Sequence, residues 1–89
     1  MNKLDIFLLT ILSHNDRLCL RKIAIVIDKI NLDKPFSRSG LYKRLEVLRA
    51  QEMVEIEWKV GKKQYLISTE GLKRIKKLTN QLIKMELEK

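Results

Sequence analysis

The chain of 89 residues carries 19 Lys and Arg against 11 Asp and Glu, a formal net charge of +8. So strong an excess in a chain of single-domain length favours a polyanionic partner such as nucleic acid, the alternative being a merely solvated basic surface. Cys19 is the only cysteine, which excludes an intrachain disulfide and a cysteine-based zinc site. We expect it to be a small buried hydrophobe or, alternatively, to form a disulfide between subunits.

Other residue types exclude further classes of protein. His14 is the sole histidine and has no matched nucleophile or carboxylate, and the three glycines form no phosphate-binding loop. We therefore expect no enzymatic activity, no metal and no cofactor. The apolar run Ile6–Leu12 is too short for a membrane span and lacks the features of a signal peptide, so we expect a cytoplasmic protein without membrane contact.

A first helix is predicted from Lys3 to about Ser13. The apolar residues that recur at helical spacing are Leu4, Leu8, Ile11 and Leu12. Phe7 and Leu9 broaden this face beyond what a thin domain needs, which indicates contact with a partner subunit. The residues of this helix expected at a dimer interface are Leu4, Phe7, Leu8 and Ile11.

The next segment opens with a polar turn at His14–Asp16. Leu18–Leu20 is short enough to form a β-bridge or strand that pairs with a later hairpin. A second helix is predicted over about Arg21–Asn31. Its inward residues are Ile23, Ile27 and Ile30. A loop is expected at Leu32–Phe36, where Pro35 disfavours helix at the residue before it.

The stretch from Ser37 to Ser68 is the most informative part of the chain, because a basic helix leads directly into a basic β-hairpin. The helix is predicted to begin near Ser37 or Ser39, either of which is a suitable N-cap. It should end near Glu52, where no glycine is available for the left-handed C-cap position. The apolar stripe of this helix is formed by Leu41, Leu45 and Leu48.

The hairpin is predicted from strand periodicity. The alternating apolar residues of its first strand are Val54, Ile56, Trp58 and Val60. A two-residue turn at Gly61–Lys62 sets a register in which Val60 opposes Lys63, Trp58 opposes Tyr65, and Ile56 opposes Ile67. The apolar residues then share one face, and Trp58 and Tyr65 form a cross-strand pair against the core, or alternatively a stacking platform.

A last helix is predicted to start at Ser68 or Thr69 and to run to the end of the sequence. Its apolar residues are Leu72, Ile75, Leu78, Leu82 and Met85, which follow heptad spacing from Ile75 on. We expect residues 1–68 to form one domain and residues 69–89 to form a dimerisation arm. The alternative is a helix that packs back on its own domain. The arm residues expected at the interface are Ile75, Leu78, Leu82 and Met85.

Two motifs resemble those of PadR-like winged-helix regulators. The first comprises Ser37, Leu41, Tyr42, Arg44, Leu45, Leu48 and Val54. The second, Ile67–Gly71, is similar to the Leu-Thr-x-x-Gly that closes the wing in PadR and MarR relatives. Small winged-helix proteins of archaea and their viruses look equally similar. The resemblance implies a homodimeric transcriptional regulator, usually a repressor, on a pseudo-palindromic DNA site. Glu52 departs from the pattern, because these families usually have glycine before the wing, so its backbone should differ or be strained.

Together these features predict a mainly α fold with a small antiparallel β-hairpin (α+β), a winged helix-turn-helix with an extended C-terminal helix. The recognition helix spans residues 37–51 and the wing residues 54–68. The side chains expected near base edges are Arg38, Ser39, Tyr42 and Lys43. Those expected on the DNA backbone or minor groove are Arg44, Arg49, Lys59, Lys62 and Lys63.

Several of these side chains have a competing role. Tyr42 is either a base contact or a packing residue, and Arg44 and Arg49 either grip phosphates or solvate the helix. Glu46 on the exposed face is interpreted as a spectator or as a partner of Lys43 or Arg49. The wing lysines either bind DNA or protect an exposed strand edge.

The function predicted from the sequence is a sequence-specific double-stranded DNA-binding regulator, a repressor acting as a homodimer. The alternative is a winged-helix protein-interaction module that uses the first and last helices. RNA binding is a lesser variant, because no aromatic platform is expected to face solvent.

Overall fold

A computed structural model describes residues 2–30 and 36–87, with side chains up to Asn80. Within these residues the chain forms four α-helices and one two-stranded antiparallel sheet, which confirms the predicted fold class. The elements in chain order are α1 (Lys3–Ser13), α2 (Leu20–Ile30), α3 (Arg38–Ala50), β1 (Val54–Lys59), β2 (Lys62–Ile67) and α4 (Thr69–Leu87). The loop predicted at Leu32–Phe36 lies, except for Phe36, outside the described residues.

Polar side chains fix where three of the helices begin. Asn2 and Asp5 form a reciprocal capping box on α1, with the Asn2 side chain accepting from the Asp5 amide at 2.8 Å. Ser37, one of the two predicted caps, accepts from the Gly40 amide at 3.1 Å and starts α3. Ser68 Oγ accepts from the Gly71 amide at 3.0 Å and starts α4.

A single apolar core joins all six elements. Its fully buried side chains are Leu8, Leu9, Leu12, Ile23, Ile27, Leu41, Leu45, Leu48, Val54 and Tyr65. Ile75 of α4 is also buried in this core, and Leu72 and Leu78 pack against it. The first turns of α4 therefore pack with residues 1–68, whereas the arm predicted from Leu82 and Met85 involves side chains outside the described set. In the part of the chain that the structure describes, every helix is too short or too polar to cross a bilayer.

The same burial bears on the predicted dimer interface. Four of its side chains lie in the core of the protomer itself, namely Leu4, Leu8, Ile11 and Ile75. Because these side chains are buried by packing within the protomer, they have little accessible surface for contact with a partner subunit. Phe7 and Leu78 are half-buried and keep some accessible surface. The interface itself remains a prediction.

The end of α3 is a Schellman motif built without glycine. The Met53 amide donates to the Leu48 carbonyl and the Glu52 amide donates to the Arg49 carbonyl, each at 2.9 Å. Glu52 takes the left-handed position, with φ of 63°. The departure noted in the sequence is thus accommodated by strain at one backbone position rather than by a different helix end.

The predicted register of the hairpin is wrong by two residues. The turn is Val60–Gly61 rather than Gly61–Lys62, and both residues have positive φ, 52° and 73°, as a type I′ turn requires. Ile56 therefore faces Tyr65, and Trp58 faces Lys63. Because the shift is even, the apolar residues still share one face, but Trp58 lies beyond the core and is 68% exposed. The predicted Trp58–Tyr65 pair does not form.

Contacts at the base of the hairpin explain this register. Tyr65 is paired on its other side with Leu18, through hydrogen bonds of 2.9 and 2.7 Å between their backbones, which confirms the predicted β-bridge. The Ser68 amide donates to the Met53 carbonyl at 3.0 Å, so the two strand ends are joined there. Gly71 also packs against this carbonyl, and a Cβ at position 71 would lie 2.1 Å from it. These anchors fix the register from the base, so the turn adapts.

Replacing Glu52 with glycine should stabilise the protein. A non-glycine residue in the left-handed conformation costs about 1 kcal/mol, and Glu52→Gly removes this cost while the backbone hydrogen bonds remain. We expect the free energy of unfolding in urea to rise by about 1 kcal/mol, somewhat less if the glycine gains entropy in the unfolded chain. Glu52→Ala is the matched control, since it keeps the strain and should change stability little. Equal stability of the two variants would contradict this interpretation.

Candidate nucleic-acid interface

The N-terminal half of α3 presents a polar and basic face to solvent. Leu41 and Leu45 turn the opposite face into the core, so Arg38, Ser39 and Lys43 are exposed. Tyr42 is 44% exposed, which leaves its ring accessible at the edge of the same face. The four side chains predicted near base edges therefore lie together on one accessible surface at the start of a helix.

Arg44, in contrast, is held inside the protomer. Its Nε and Nη2 atoms donate to the two carboxylate oxygens of Asp5 at 2.8 and 2.6 Å. The Asp5 side chain is only 4% exposed and that of Arg44 33%. The hydrogen bond with Asp5 raises the pKa of Arg44 above its ordinary value, so the guanidinium stays charged. This bidentate contact fixes α3 against α1, and it leaves the guanidinium little freedom to reach a phosphate.

Glu46 joins α3 to the wing. One of its carboxylate oxygens accepts from Arg49 at 3.1 Å, and the other accepts from Lys63 on β2 at 3.4 Å. Partial desolvation opposes the charge on Glu46, but the hydrogen bonds from Arg49 and Lys63 hold its pKa below the ordinary value. Its negative charge is therefore neutralised locally, as the interpretation of Glu46 as a partner of Arg49 anticipated.

Lys63 is enclosed by more than this ion pair. Its ammonium lies 5.0 Å from the centroid of the Tyr42 ring and 5.3 Å from that of Tyr65. Desolvation opposes its charge, yet the contacts with Tyr65 and Glu46 raise the pKa of Lys63. Its side chain is 26% exposed, so Lys63 serves to set the wing against the recognition helix and is poorly placed to bind DNA.

The tip of the wing is exposed on all sides. Lys59 and Lys62 face each other across the last pair of the ladder, and both are exposed. Among the residues that the structure describes, these two lysines form no ion pair, and neither do Arg38 and Lys43. Trp58 and Val60 are exposed beside these lysines. The expectation that Trp58 would face the core was therefore wrong.

Besides the Glu46–Lys63 contact, sequence reasoning missed two cross-element ion pairs that shape this surface, Asp5–Arg44 and Arg17–Glu57. Asp5 is visible in the sequence as part of a capping box with Asn2, but nothing local indicates its pairing with Arg44. Arg17 donates to Glu57 at 2.6 Å and covers a carboxylate on the outer face of the wing. Both pairs join residues about 40 positions apart, so only the tertiary structure brings them together.

The arrangement of a recognition helix, a two-stranded wing and a flanking helix defines the winged-helix class. Neither protein-family models nor curated proteins gave a match to this chain. Solved structures with the same fold include a transcriptional regulator from Clostridium thermocellum, with TM-score 0.78 and 17% identity, covering 93% of this chain and 82% of its own.

Two further structures belong to the groups that the motifs resemble. F93 from STIV, described as a winged-helix DNA-binding protein, has TM-score 0.75 and 22% identity, covering 90% of this chain and 87% of its own. A PadR-family transcription regulator from Clostridium difficile has TM-score 0.71 and 21% identity, covering 98% and 96%. These likenesses confirm the predicted winged-helix fold.

Two arginines of α3 should differ sharply in their effect on stability. Arg44→Ala leaves the buried Asp5 carboxylate without its partner, which should lower the free energy of unfolding by about 3 kcal/mol. Arg49→Ala removes only an exposed contact one turn from Glu46 and should cost about 0.5 kcal/mol or less. Urea unfolding followed by circular dichroism measures both. Equal losses in the two variants would show that the Asp5–Arg44 pair does not hold α3 in place.

Proposed function

We propose that this protein is a sequence-specific double-stranded DNA-binding regulator of transcription. The N-terminal half of α3 enters the major groove, where Arg38 and Lys43 reach guanine edges and Ser39 and Tyr42 make accessory contacts. The wing lies on the adjacent backbone or minor groove through Lys59 and Lys62. The proposal assigns no catalytic activity to the chain.

The observation that carries this proposal is the segregation of charge. Arg38, Lys43, Lys59 and Lys62 are exposed, while the nearby carboxylates of Glu46 and Glu57 are each matched by a cation of the protomer. A phosphate backbone that approaches the N-terminal half of α3 and the tip of the wing therefore meets these four cations, while the charges of Glu46 and Glu57 are neutralised locally. The fold shared with winged-helix DNA-binding proteins supports the same function.

We further propose that the protein acts as a homodimer and represses transcription by occupying a pseudo-palindromic site. The heptad spacing of Leu78, Leu82 and Met85 along α4 supports a helical seam between two copies. A two-fold axis would place two recognition helices in successive turns of the major groove. The resemblance to PadR-like regulators supports repression rather than activation.

DNA binding should depend steeply on salt. With the four exposed interface cations Arg38, Lys43, Lys59 and Lys62 in each of two protomers, about eight phosphates are neutralised and the log–log slope of affinity against salt should be roughly −7. Lys59→Ala/Lys62→Ala should reduce the slope to roughly half and weaken binding to all sequences. Lys43→Ala should instead relax the preference among sequences.

The measurement is fluorescence anisotropy with labelled duplexes, a mixed genomic set and one selected from a random library, over a series of salt concentrations. Lys73→Ala/Lys77→Ala is the matched control, because it removes the same charge from α4 beside the C-terminal end of α3. Absence of binding at low salt and micromolar protein contradicts the proposed function. An equal loss in the control variant would assign binding to overall charge rather than to α3 and the wing.

Self-association should depend on the seam of α4. Leu82→Glu places a carboxylate in the predicted seam and should shift the protein from dimer to monomer in sedimentation velocity at micromolar concentration. Asn80→Glu adds the same charge at the f position of the heptad, which faces away from the seam, and should leave the dimer intact. A wild-type protein that sediments as a monomer, or two variants that behave alike, would count against the dimerisation arm.

A further inference from the structure

The tip of the wing carries two large apolar side chains in water. Trp58 is 68% exposed and Val60 is 93% exposed, and they are the most exposed large hydrophobic residues in the described part of the chain. They lie within three positions of each other on the same projecting element. Scattered exposed apolar residues are ordinary, but two strongly exposed ones that lie two positions apart at the tip of a projecting hairpin indicate a contact with another molecule.

The backbone conformation of Val60 also indicates that the tip contacts another molecule. Its φ of 52° is left-handed, a conformation that a β-branched residue rarely adopts and that Asn would suit better in a type I′ turn. Val60 is almost fully exposed, so no intramolecular packing offsets this strain. The hairpin register imposes this backbone strain, and no packing of the Val60 side chain compensates for it. Uncompensated backbone strain of this kind is typical of binding sites.

The neighbours of the tip decide what that contact is. Trp58 faces Lys63 on the inner face of the hairpin, and Lys59 faces Lys62 on the outer face. The exposed ammonium groups beside the apolar tip are those of Lys59 and Lys62, which favours a polyanion over an apolar protein surface. The last pair of the ladder that packs with the core is Ile56–Tyr65, and the four residue steps from Ile56 to Val60 extend about 13 Å. This reach exceeds the depth of the minor groove, about 7.5 Å.

We propose that Trp58 and Val60 form an apolar wedge that enters the DNA minor groove beside the segment contacted by α3 and partly unstacks a base step there. This inference rests on the proposed DNA-binding function and adds a residue role to it. Lys59 and Lys62 hold the flanking phosphates, while the wedge packs against sugars and base faces. Such wedges kink the duplex toward the major groove and favour steps that unstack easily, so Trp58 also influences which sequences bind.

Trp58 is the only tryptophan in the chain, so its fluorescence reports directly on the tip. On addition of a duplex selected from a random library, we expect its emission to shift to the blue or be quenched, and acrylamide to quench it less. Energy transfer between dyes at the two duplex ends should show a bend. In Trp58→Thr that bend should decrease while the circular dichroism spectrum stays the same.

Affinity separates the wedge from the lysines. Trp58→Thr should weaken binding about 10-fold at every salt concentration without changing the salt slope, because no charge is lost. Lys59→Ala/Lys62→Ala should change the slope itself. Val60→Asn should raise the melting temperature of the free protein and still weaken DNA binding about 3-fold, since it relieves strain but removes apolar contact.

The outcomes distinguish failure of the wedge from failure of the DNA-binding function. If anisotropy shows binding but Trp58 emission and duplex bending are unchanged, and Trp58→Thr binds as the wild type does, the wedge is overturned and the regulator function stands. If no duplex binds at low salt, both are overturned. A blue shift that depends on protein concentration without DNA would instead assign the tip to contact between copies of the chain.

Discussion

The hydroxyl of Ser68 forms hydrogen bonds that join α3, the wing and α4. It donates to the Glu52 carbonyl at the end of α3 and accepts from the Gly71 amide at the start of α4, while the Ser68 amide closes the base of the hairpin on Met53. This junction depends on Glu52 holding a left-handed backbone, because that conformation directs its carbonyl toward Ser68. It depends equally on Gly71, since any side chain there would strike the Met53 carbonyl. The orientation of the wing relative to α3 follows from these contacts.

The charged side chains of this fold belong to two groups. Some form ion pairs that hold structural elements together, and others are exposed cations that can contact another molecule. Asp5 binds Arg44 and Glu57 binds Arg17. Glu46 binds two cations, Arg49 one turn further along α3 and Lys63 on the wing. The net charge of +8 is therefore not spread evenly over the surface. Two of the cations that the sequence indicated for DNA, Arg44 and Lys63, hold α3 against α1 and the wing against α3. Their role for the proposed interface is to position it.

Apolar side chains are divided in a similar way. Tyr65 packs in the core, and its backbone is paired on both sides, with Ile56 and with Leu18. Trp58, two residues beyond Ile56 on the same face, lies outside the core. The hairpin thus has a structural base and a projecting tip. Burial stabilises the base, and the tip, which contributes nothing to the core, keeps an apolar surface and a strained turn.

Periodicity and capping residues in the sequence predicted most of the fold, because they act over a few positions. The helical spacing of Leu41, Leu45 and Leu48, the cap at Ser37 and the β-alternation from Val54 each indicate their elements locally. The exposed set of Arg38, Ser39, Tyr42 and Lys43 follows from the same helical geometry. What the sequence could not determine is any relation between distant positions, such as the Asp5–Arg44 pair or the enclosure of Lys63. The register of the hairpin also depended on tertiary structure, since Leu18 and Met53 anchor it from the base and oblige Val60 to take a turn conformation that its own side chain disfavours.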